Sequence, residues 1–214
     1  MIKKGVIFDL DGVLVHTDYY HYLAWKAIAD KLKIKFDEEI NNKLRGVSRM
    51  ESLEIILQYN SILLSEDEKT TIAKQKNQVY RDYLMQMSPK DVDETVRRTI
   101  FKLKDEKIKI AIGSSSRNAK LILEKTELYD CFDAISDGNN ITYSKPHPEV
   151  FLKAAEYLKL EPKDCLVVED ALAGVQAGLA GGFETAAIGD AAKYNHATYK
   201  LEKIEDLLDI LLNN

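Results

Sequence analysis

The stretch GVIFDLDG, residues 5–12, decides the fold of this 214-residue chain, because an apolar run leads there directly into two aspartates. A short apolar run bounded by polar residues is typical of a strand buried in a parallel sheet. Asp9 and Asp11 are two positions apart and therefore project to the same side where that strand ends. Two carboxylates so placed repel each other unless a cation or a proton lies between them. The stretch thus predicts a strand that ends in a cation-binding site.

Four more short apolar runs alternate with helical patterns further along the chain. We expect strands at residues 108–112, 132–135, 165–168 and 185–188. Helices are predicted at residues 118–126, 149–158, 171–180 and 204–212. Alternating strands and helices predict an α/β fold with a doubly wound, Rossmann-like parallel sheet. Ligands of such sheets bind beyond the carboxyl ends of the strands.

The interval between the first two apolar runs has helical character. Helical patterns cover residues 19–32, 48–59 and 66–87, and Ser65 with Glu68 has the spacing of an N-terminal capping box. Pro89 then marks the return linker, since a proline disfavours helix in the residue before it. We expect a helical cap domain at residues 16–87, inserted into a core domain formed by residues 1–15 and 88–214. An insert at this point lies over the carboxyl ends of the strands, where a lid belongs.

The overall composition argues against several classes of protein. Hydrophobic residues make up 45% and charged residues 30% of the chain, which indicates a soluble protein with a sizeable core. The net charge of −5 predicts no basic face for nucleic acid. The longest uncharged stretch, residues 171–183, is too short to cross a membrane, and the apolar run before Asp9 is too short for a signal peptide. We expect a cytoplasmic protein, and nothing in the sequence demands more than a monomer.

The two cysteines, Cys131 and Cys165, are far apart in the sequence, and each lies beside apolar residues. Their spacing suits neither a disulfide framework nor a zinc site. We therefore expect two buried, reduced thiols.

A run of three serines follows the strand predicted at residues 108–112. The hydroxyl and backbone N–H groups of Ser114, Ser115 and Ser116, just before a helix, suit a bound phosphate. The alternative is that these serines only cap the helix that follows.

Two further charged features follow predicted strands or precede a predicted helix. Lys145, next to Pro146, can offer a positive charge to Asp9 and to a transferring phosphoryl group, although a solvated loop lysine is the ordinary interpretation. Glu169 and Asp170 end the strand at residues 165–168 and would complete a magnesium site. Asp170 also suits the role of N-cap for the next helix.

All four features can meet in one crevice, since the carboxyl ends of parallel strands share an edge of the sheet. Their order along the chain is nucleophile, hydroxyl, lysine and acidic pair, and it resembles the haloacid dehalogenase superfamily over essentially the whole chain. The residues that match its four motifs are Asp9, Asp11, Gly12, Ser114, Lys145, Glu169 and Asp170. The predicted insert resembles the four-helix cap found after the first motif of that superfamily.

Within this superfamily the chain is similar to the β-phosphoglucomutase family. The similar segments are residues 8–13, 17, 20–21, 24–27, 46–49, 52–53, 76–77, 87–89, 108–111 and 144–146. The matches inside the predicted cap carry this resemblance, since the core motifs recur across all functions of the superfamily.

The resemblance implies an isomerase that converts β-D-glucose 1-phosphate into glucose 6-phosphate through an aspartyl phosphate and glucose 1,6-bisphosphate. It implies Asp9 as the nucleophile and Asp11 as the general acid/base. Magnesium would be held by the Asp9 carboxylate, the Asp11 backbone carbonyl and Asp170, with Glu169 close by. The implied phosphate- and substrate-binding residues are Thr17, His21, Trp25, Gly46, Arg49, Ser52, Lys76, Ser114, Ser115, Ser116, Asn118 and Lys145.

Some residues depart from the pattern of the family. His16 stands where an acidic residue usually precedes the hinge residue Thr17, and Ser115, Arg117 and Ala171 also differ from the usual residues. None of these departures removes a catalytic group. Two other functions stay open on the sequence: a magnesium-dependent phosphatase that releases the same phosphoenzyme to water, and a sugar-phosphate-binding protein without activity. The second would not need both aspartates of the first motif.

Overall fold

The computed structural model describes residues 3–212, and a parallel sheet lies at its centre. The strands are β1 Gly5–Phe8, β2 Lys109–Gly113, β3 Ala134–Ser136, β4 Cys165–Glu169, β5 Glu184–Ala187 and β6 Tyr199–Lys200. Within the described residues they form one six-stranded sheet in the order β3-β2-β1-β4-β5-β6, and every neighbouring pair is parallel. The first strand is therefore central, so that its carboxyl end lies between those of β2 and β4.

Helices cover both faces of this sheet. The helices are α1 Asp18–Leu32, α2 Glu38–Asn42, α3 Arg49–Tyr59, α4 Glu66–Leu84, α5 Glu94–Asp105, α6 Ala119–Lys125, α7 Glu149–Leu158, α8 Leu172–Ala180 and α9 Asp206–Leu212. Val6 and Phe8 point into an apolar cluster shared with α5, α6 and α9, while Ile7 points into the cluster of α7 on the opposite face. This burial on both faces explains why the sequence of β1 is continuously apolar.

The predicted fold class is confirmed, and the strands and helices expected from the sequence lie within three residues of their predicted ends. The helix predicted at residues 66–87 ends earlier, at Leu84, and Pro89 begins a short 3-10 turn. None of β6, α2 and α5 was predicted from the sequence. Both cysteines are free, but the prediction that both are buried is wrong for Cys131, which is partly exposed. No helix among residues 3–212 is long and apolar enough to cross a membrane.

The helices α1–α4 lie between β1 and α5 and pack around an apolar cluster of their own. Trp25, Ile40, Leu53, Ile56 and Ile72 belong to this cluster, which is distinct from those on the sheet. The predicted capping box at the start of α4 is present, with both of its reciprocal hydrogen bonds. A separate core supports a cap domain at residues 16–87, although that division of the chain stays a prediction. The predicted core domain also includes residues 1–2 and 213–214, which lie outside the described residues.

Candidate active site

Three buried carboxylates meet at the carboxyl ends of β1 and β4. Because these strands pair in parallel with Phe8 opposite Val168, Asp9 follows one strand beside Glu169 and Asp170 on the other. Carboxylate oxygens of the three residues all lie within 4.8 Å of one another. The Nζ atom of Lys145 donates to Asp9 Oδ1 and to Glu169 Oε1, each over 2.5 Å. One ammonium group therefore faces three acidic groups.

Burial, with the neighbouring carboxylates, disfavours the ionised forms of this cluster more than Lys145 alone offsets. Burial raises the pKa of Asp9 to about 8, against the lowering effect of Lys145. Burial and the neighbouring charge of Glu169 raise the pKa of Asp170 to about 9. Burial opposes the charge on Lys145, but the carboxylates of Asp9 and Glu169 raise its pKa above the ordinary value.

A metal ion would relieve this repulsion. Carboxylate oxygens are the ligands that hard divalent cations such as Mg²⁺ prefer, and a cation restores the ionised forms that burial disfavours. The side chains of Asp9, Glu169 and Asp170 therefore fit a metal ion, both in the chemistry of their donors and in their mutual distances.

Two glycines make room for these carboxylates. Gly12 has a φ of +89°, and a Cβ atom there would overlap the carboxylate of Asp170. A Cβ atom at Gly174 would overlap the carboxylate of Glu169. The glycine after the second aspartate is thus required both by the backbone conformation and by the close approach of an acidic side chain.

Asp11 differs from Asp9 in its surroundings. Its side chain is not one of the three clustered carboxylates and instead accepts a hydrogen bond from the hydroxyl of Thr17. Burial raises the pKa of Asp11 to about 6, while the Thr17 hydrogen bond opposes this shift. A carboxyl group with a pKa near neutrality can both give and take a proton.

A cavity of about 390 Å³ separates the helical segment from the strand ends. Most of the site residues predicted from the sequence line it; these are Asp9, Asp11, His21, Trp25, Gly46, Arg49, Ser52, Lys76, Ser114, Ser115, Ser116, Asn118, Lys145 and Asp170. Thr17 and Glu169 are fully buried and do not belong to the cavity wall. Thr17 contacts the lining residue Asp11, and Glu169 contacts the lining residue Lys145.

The serine run serves two purposes at the start of α6. Ser114 Oγ accepts the backbone N–H of Ser116, and Ser116 Oγ accepts that of Asn118, over 3.1 and 3.2 Å. These contacts organise the turn before the helix, as the structural interpretation of the run predicts. Ser114 and Ser116 also line the cavity, and their role in binding phosphate stays a prediction.

The part of the cavity wall formed by the helical segment contains several basic side chains. Lys76, only 2% exposed, lies 2.9 Å from His21 Nδ1 and above the rings of Trp25 and Tyr80. Burial lowers the pKa of both Lys76 and His21, and the positive charge of Arg49 lowers both further. This side of the cavity is therefore short of negative charge, and a bound anion would relieve the deficit.

A second arginine faces the same space from the other side. Burial, and then the positive charge of Arg117, lower the pKa of Arg49. Arg117 is held by a hydrogen bond of 3.1 Å from its Nε to the carbonyl of Gly138. Two guanidinium groups that approach across a cavity favour a shared anion such as phosphate.

Sequence reasoning missed several cavity residues, among them Arg45, Tyr80 and Arg117. Tyr80 follows Lys76 by four positions on α4, so that helical spacing alone places it on the same face. Arg117 directly follows the serine run, and the charge of that position was a usable signal. Arg45 lies in the loop between α2 and α3, and no pattern in the sequence singles it out.

Comparison with known proteins agrees with this geometry. A family model described as a haloacid dehalogenase-like hydrolase matches residues 3–182. The chain belongs to this family. Within the haloacid dehalogenase-like hydrolases, a β-phosphoglucomutase of Bacillus subtilis is 39% identical over 212 residues, which cover 98% of this chain and 94% of that protein. The crystal structure of a β-phosphoglucomutase from Clostridium difficile matches with a TM-score of 0.91 at 35% identity, over 97% and 93% of the two chains.

The same family also contains phosphatases. A phosphorylated carbohydrates phosphatase of Thermotoga maritima is 29% identical to this chain over 85% of its length and 82% of that protein. The resemblance predicted from the motifs is confirmed, and the chain is a β-phosphoglucomutase-like enzyme of the haloacid dehalogenase-like hydrolases. The two kinds of relative differ in what accepts the phosphoryl group, which is a sugar in a mutase and water in a phosphatase.

Proposed function

We propose that this enzyme interconverts β-D-glucose 1-phosphate and glucose 6-phosphate through an aspartyl phosphate and a glucose 1,6-bisphosphate intermediate. One observation supports the proposal: the cavity is lined by two groups of side chains whose chemistry suits phosphate. Ser114 and Lys145 lie beside Asp9, whereas Arg49 and Arg117 form a second cationic group. A substrate that carries a phosphate at each end needs both groups, while a simple phosphatase needs only the first.

Asp9 would act as the nucleophile. Its carboxylate attacks the phosphorus of one phosphate of the bisphosphate, and the bond from that phosphorus to the sugar oxygen breaks. Lys145, which already donates to Asp9 Oδ1, and Ser114 would hold the transferring group by charge and hydrogen bonding. Magnesium, held by Asp9, Asp170 and the Asp11 backbone carbonyl with Glu169 close by, would neutralise charge on the transferring phosphoryl group.

Asp11 would act as the general acid/base. Its carboxyl group gives a proton to the leaving sugar oxygen as the aspartyl phosphate forms. In the second half-reaction it takes the proton from the 6-hydroxyl of an incoming β-glucose 1-phosphate, whose oxygen attacks the phosphorus of the aspartyl phosphate; the bond from that phosphorus to Asp9 breaks, and the bisphosphate and free Asp9 are regenerated. The raised pKa of about 6 supports this dual role, since a catalytic group works best with a pKa near the working pH. The hydroxyl of Thr17 would orient the carboxyl group.

The remaining cavity residues would bind the rest of the substrate. Arg49, Ser116 and Asn118, together with Arg117, would hold the phosphate that is not transferred. His21 and Lys76 would contact the sugar, and the other predicted residues Trp25, Gly46, Ser52 and Ser115 would shape the wall around it. Binding energy from the second phosphate can then favour a closed site, which raises the rate of transfer to sugar over transfer to water.

The experiment that tests this function is turnover of both anomers of glucose 1-phosphate with magnesium and a trace of glucose 1,6-bisphosphate. We expect glucose 6-phosphate to form from the β anomer and a loss of activity when the bisphosphate is omitted. Phosphate released from either anomer without glucose 6-phosphate would instead support the second candidate, a sugar-phosphate phosphatase, which the relative from Thermotoga maritima makes the main alternative. The Asp9→Asn variant is the negative control.

A further inference from the structure

Arg45 joins the helical segment to the sheet domain at the rim of the cavity. It lies in the loop between α2 and α3, and its Nη1 atom is 2.6 Å from Asp190 Oδ2, in the loop after β5. Its Nη2 atom is 3.1 Å from Asp18 Oδ2, at the start of α1. The guanidinium group of Arg45 therefore contacts the carboxylate of Asp18 in its own helical segment and the carboxylate of Asp190 in the loop after β5.

A second hydrogen bond orients the carboxylate of Asp190 for its contact with Arg45. Asp190 Oδ1 accepts a hydrogen bond of 2.5 Å from Lys193, which leaves Oδ2 for Arg45. That hydrogen bond is the main reason why the pKa of Asp190 is lowered. The next residue, Ala191, donates its backbone N–H to the carbonyl of Asp170 over 2.8 Å. The ion pair is thus tied through the backbone to the loop that carries the acidic cluster.

The residue after Arg45 also lies directly on the strand-end loops. The carbonyl of Gly46 accepts a hydrogen bond of 3.3 Å from the hydroxyl of Ser115. A Cβ atom at Gly46, where φ is +77°, would come within 3.2 Å of the Cβ atom of Ala171. The loop around Arg45 therefore closes this edge of the cavity by direct contact.

Access to the nucleophile depends on the width of this edge of the cavity. Asp9 is 7% exposed and Lys145 is 1% exposed at the bottom of the cavity, and we expect a sugar phosphate to enter by separation of the helical segment from the sheet. Separation breaks the contact between Arg45 and Asp190, whereas the contact between Arg45 and Asp18 lies within the segment and survives. The pair with Asp190 therefore adds stability to the closed state alone.

We propose that the ion pair of Arg45 and Asp190 is a specificity-determining contact that keeps water from the phosphorylated nucleophile while a sugar is bound. This inference rests on the proposed mutase function. Loss of the ion pair shortens the lifetime of the closed state, so that water hydrolyses a larger share of the aspartyl phosphate. Both side chains are partly exposed, at 32% and 47%, and a pair of this kind contributes modestly. We expect the ratio of sugar transfer to hydrolysis to fall by about threefold.

The test compares Arg45→Met, Asp190→Asn and the double variant with the wild-type enzyme. Glucose 6-phosphate and free phosphate are measured together, with magnesium, β-glucose 1-phosphate and a trace of glucose 1,6-bisphosphate. Each single variant should lower the product ratio by about threefold, and the double variant should lower it no further, because each change removes the same contact between the helical segment and the sheet, that of Arg45 with Asp190. Raising the salt from about 0.02 M to about 0.3 M should lower the ratio of the wild type and leave that of the variants unchanged.

A matched control comes from an ion pair away from the cavity. Arg98→Met removes a contact of 3.2 Å with Glu205 and should change neither the product ratio nor its dependence on salt. Melting curves establish that all variants are folded. An unchanged ratio in both single variants, or strictly additive losses in the double variant, would overturn the role of the ion pair.

A failure of the proposed function can be distinguished from a failure of this inference. If the wild-type enzyme releases phosphate and forms no glucose 6-phosphate, the mutase assignment is wrong. The rate of phosphate release then tests the role of the ion pair. Both single variants should release phosphate about threefold faster than the wild type, and equal rates would overturn the inference.

Discussion

The ammonium group of Lys145 donates a hydrogen bond of 2.5 Å to the carboxylate of Asp9, and both side chains are buried. They are 136 positions apart in the sequence and meet because the loop of Lys145 folds over the end of the central strand. This contact gives the nucleophile a fixed positive partner at the point where a phosphoryl group would gain charge. It is the basis of the first prediction.

Lys145→Met should lower the rate of phosphoryl transfer by at least about 100-fold, since it removes a preorganised charge at the transferring group. The steady-state rate with saturating substrate and magnesium measures this effect. Lys102→Met is the matched control, because it removes an exposed ion pair of 2.7 Å with Glu106, away from the site. Equal losses in the two variants would contradict the role of Lys145.

Asp11→Asn should slow transfer by about 10²- to 10⁴-fold, because an amide neither gives nor takes the proton of the sugar hydroxyl. The fold should survive, since the amide still accepts the hydrogen bond from Thr17. Single-turnover rates and a melting curve measure the two expectations separately. A folded Asp11→Asn enzyme that transfers phosphate at the wild-type rate would exclude Asp11 as the acid/base.

The metal-free protein should lose stability as the pH rises from about 4 to about 9. Asp9 and Asp170 have pKa values raised from 3.8 to about 8 and about 9 in the folded state. A group whose pKa is raised on folding binds more protons in the folded state than in the unfolded state, so its contribution is present at low pH and is lost through this window. Magnesium should reverse the loss.

Melting temperatures at pH 6 and pH 8.5, with a chelator or with magnesium, measure this effect. The stabilisation by magnesium should be larger at the higher pH, where the cation no longer competes with protons for the carboxylates. Asp170→Asn should reduce that stabilisation. A magnesium effect that is equal at both pH values would contradict the assignment of the acidic cluster.

Lys76→Met should stabilise the free protein by about 1 kcal/mol or more while it raises the KM for sugar phosphate. Burial lowers the pKa of Lys76, which shows that its charge costs free energy in the empty cavity. Methionine fills a similar volume without that cost. Urea unfolding and KM measure the two effects, and Lys120→Met, an exposed lysine 3.7 Å from Glu124, should change neither. A Lys76→Met protein that is less stable than wild type would contradict this account.

Much of the fold follows from the sequence because the strands of a parallel sheet are buried on both faces. The runs at residues 5–8 and 165–168 are apolar throughout and end at acidic residues, so both the strand type and the strand end can be predicted directly. The β6 strand has only two residues, Tyr199–Lys200, and α2 has five with a single buried side chain, Ile40. Segments so short carry no periodic pattern, and tertiary contacts decide their structure.

The site was partly predictable for a similar reason. Asp9, Glu169 and Asp170 end strands, so parallel pairing alone places them together. Arg45 has its partner Asp190 at a separation of 145 residues, on a loop whose position depends on how the helical segment docks. No spacing within the sequence encodes that contact.

The ratio of glucose 6-phosphate to free phosphate, formed by the wild-type enzyme from β-glucose 1-phosphate, tests the central claim most directly. The reaction contains magnesium and a trace of glucose 1,6-bisphosphate, and both products are followed in the same sample. Glucose 6-phosphate in large excess over phosphate, with neither formed by Asp9→Asn, is the predicted result. Phosphate as the main product, or glucose 6-phosphate formed by Asp9→Asn at the wild-type rate, would contradict the account.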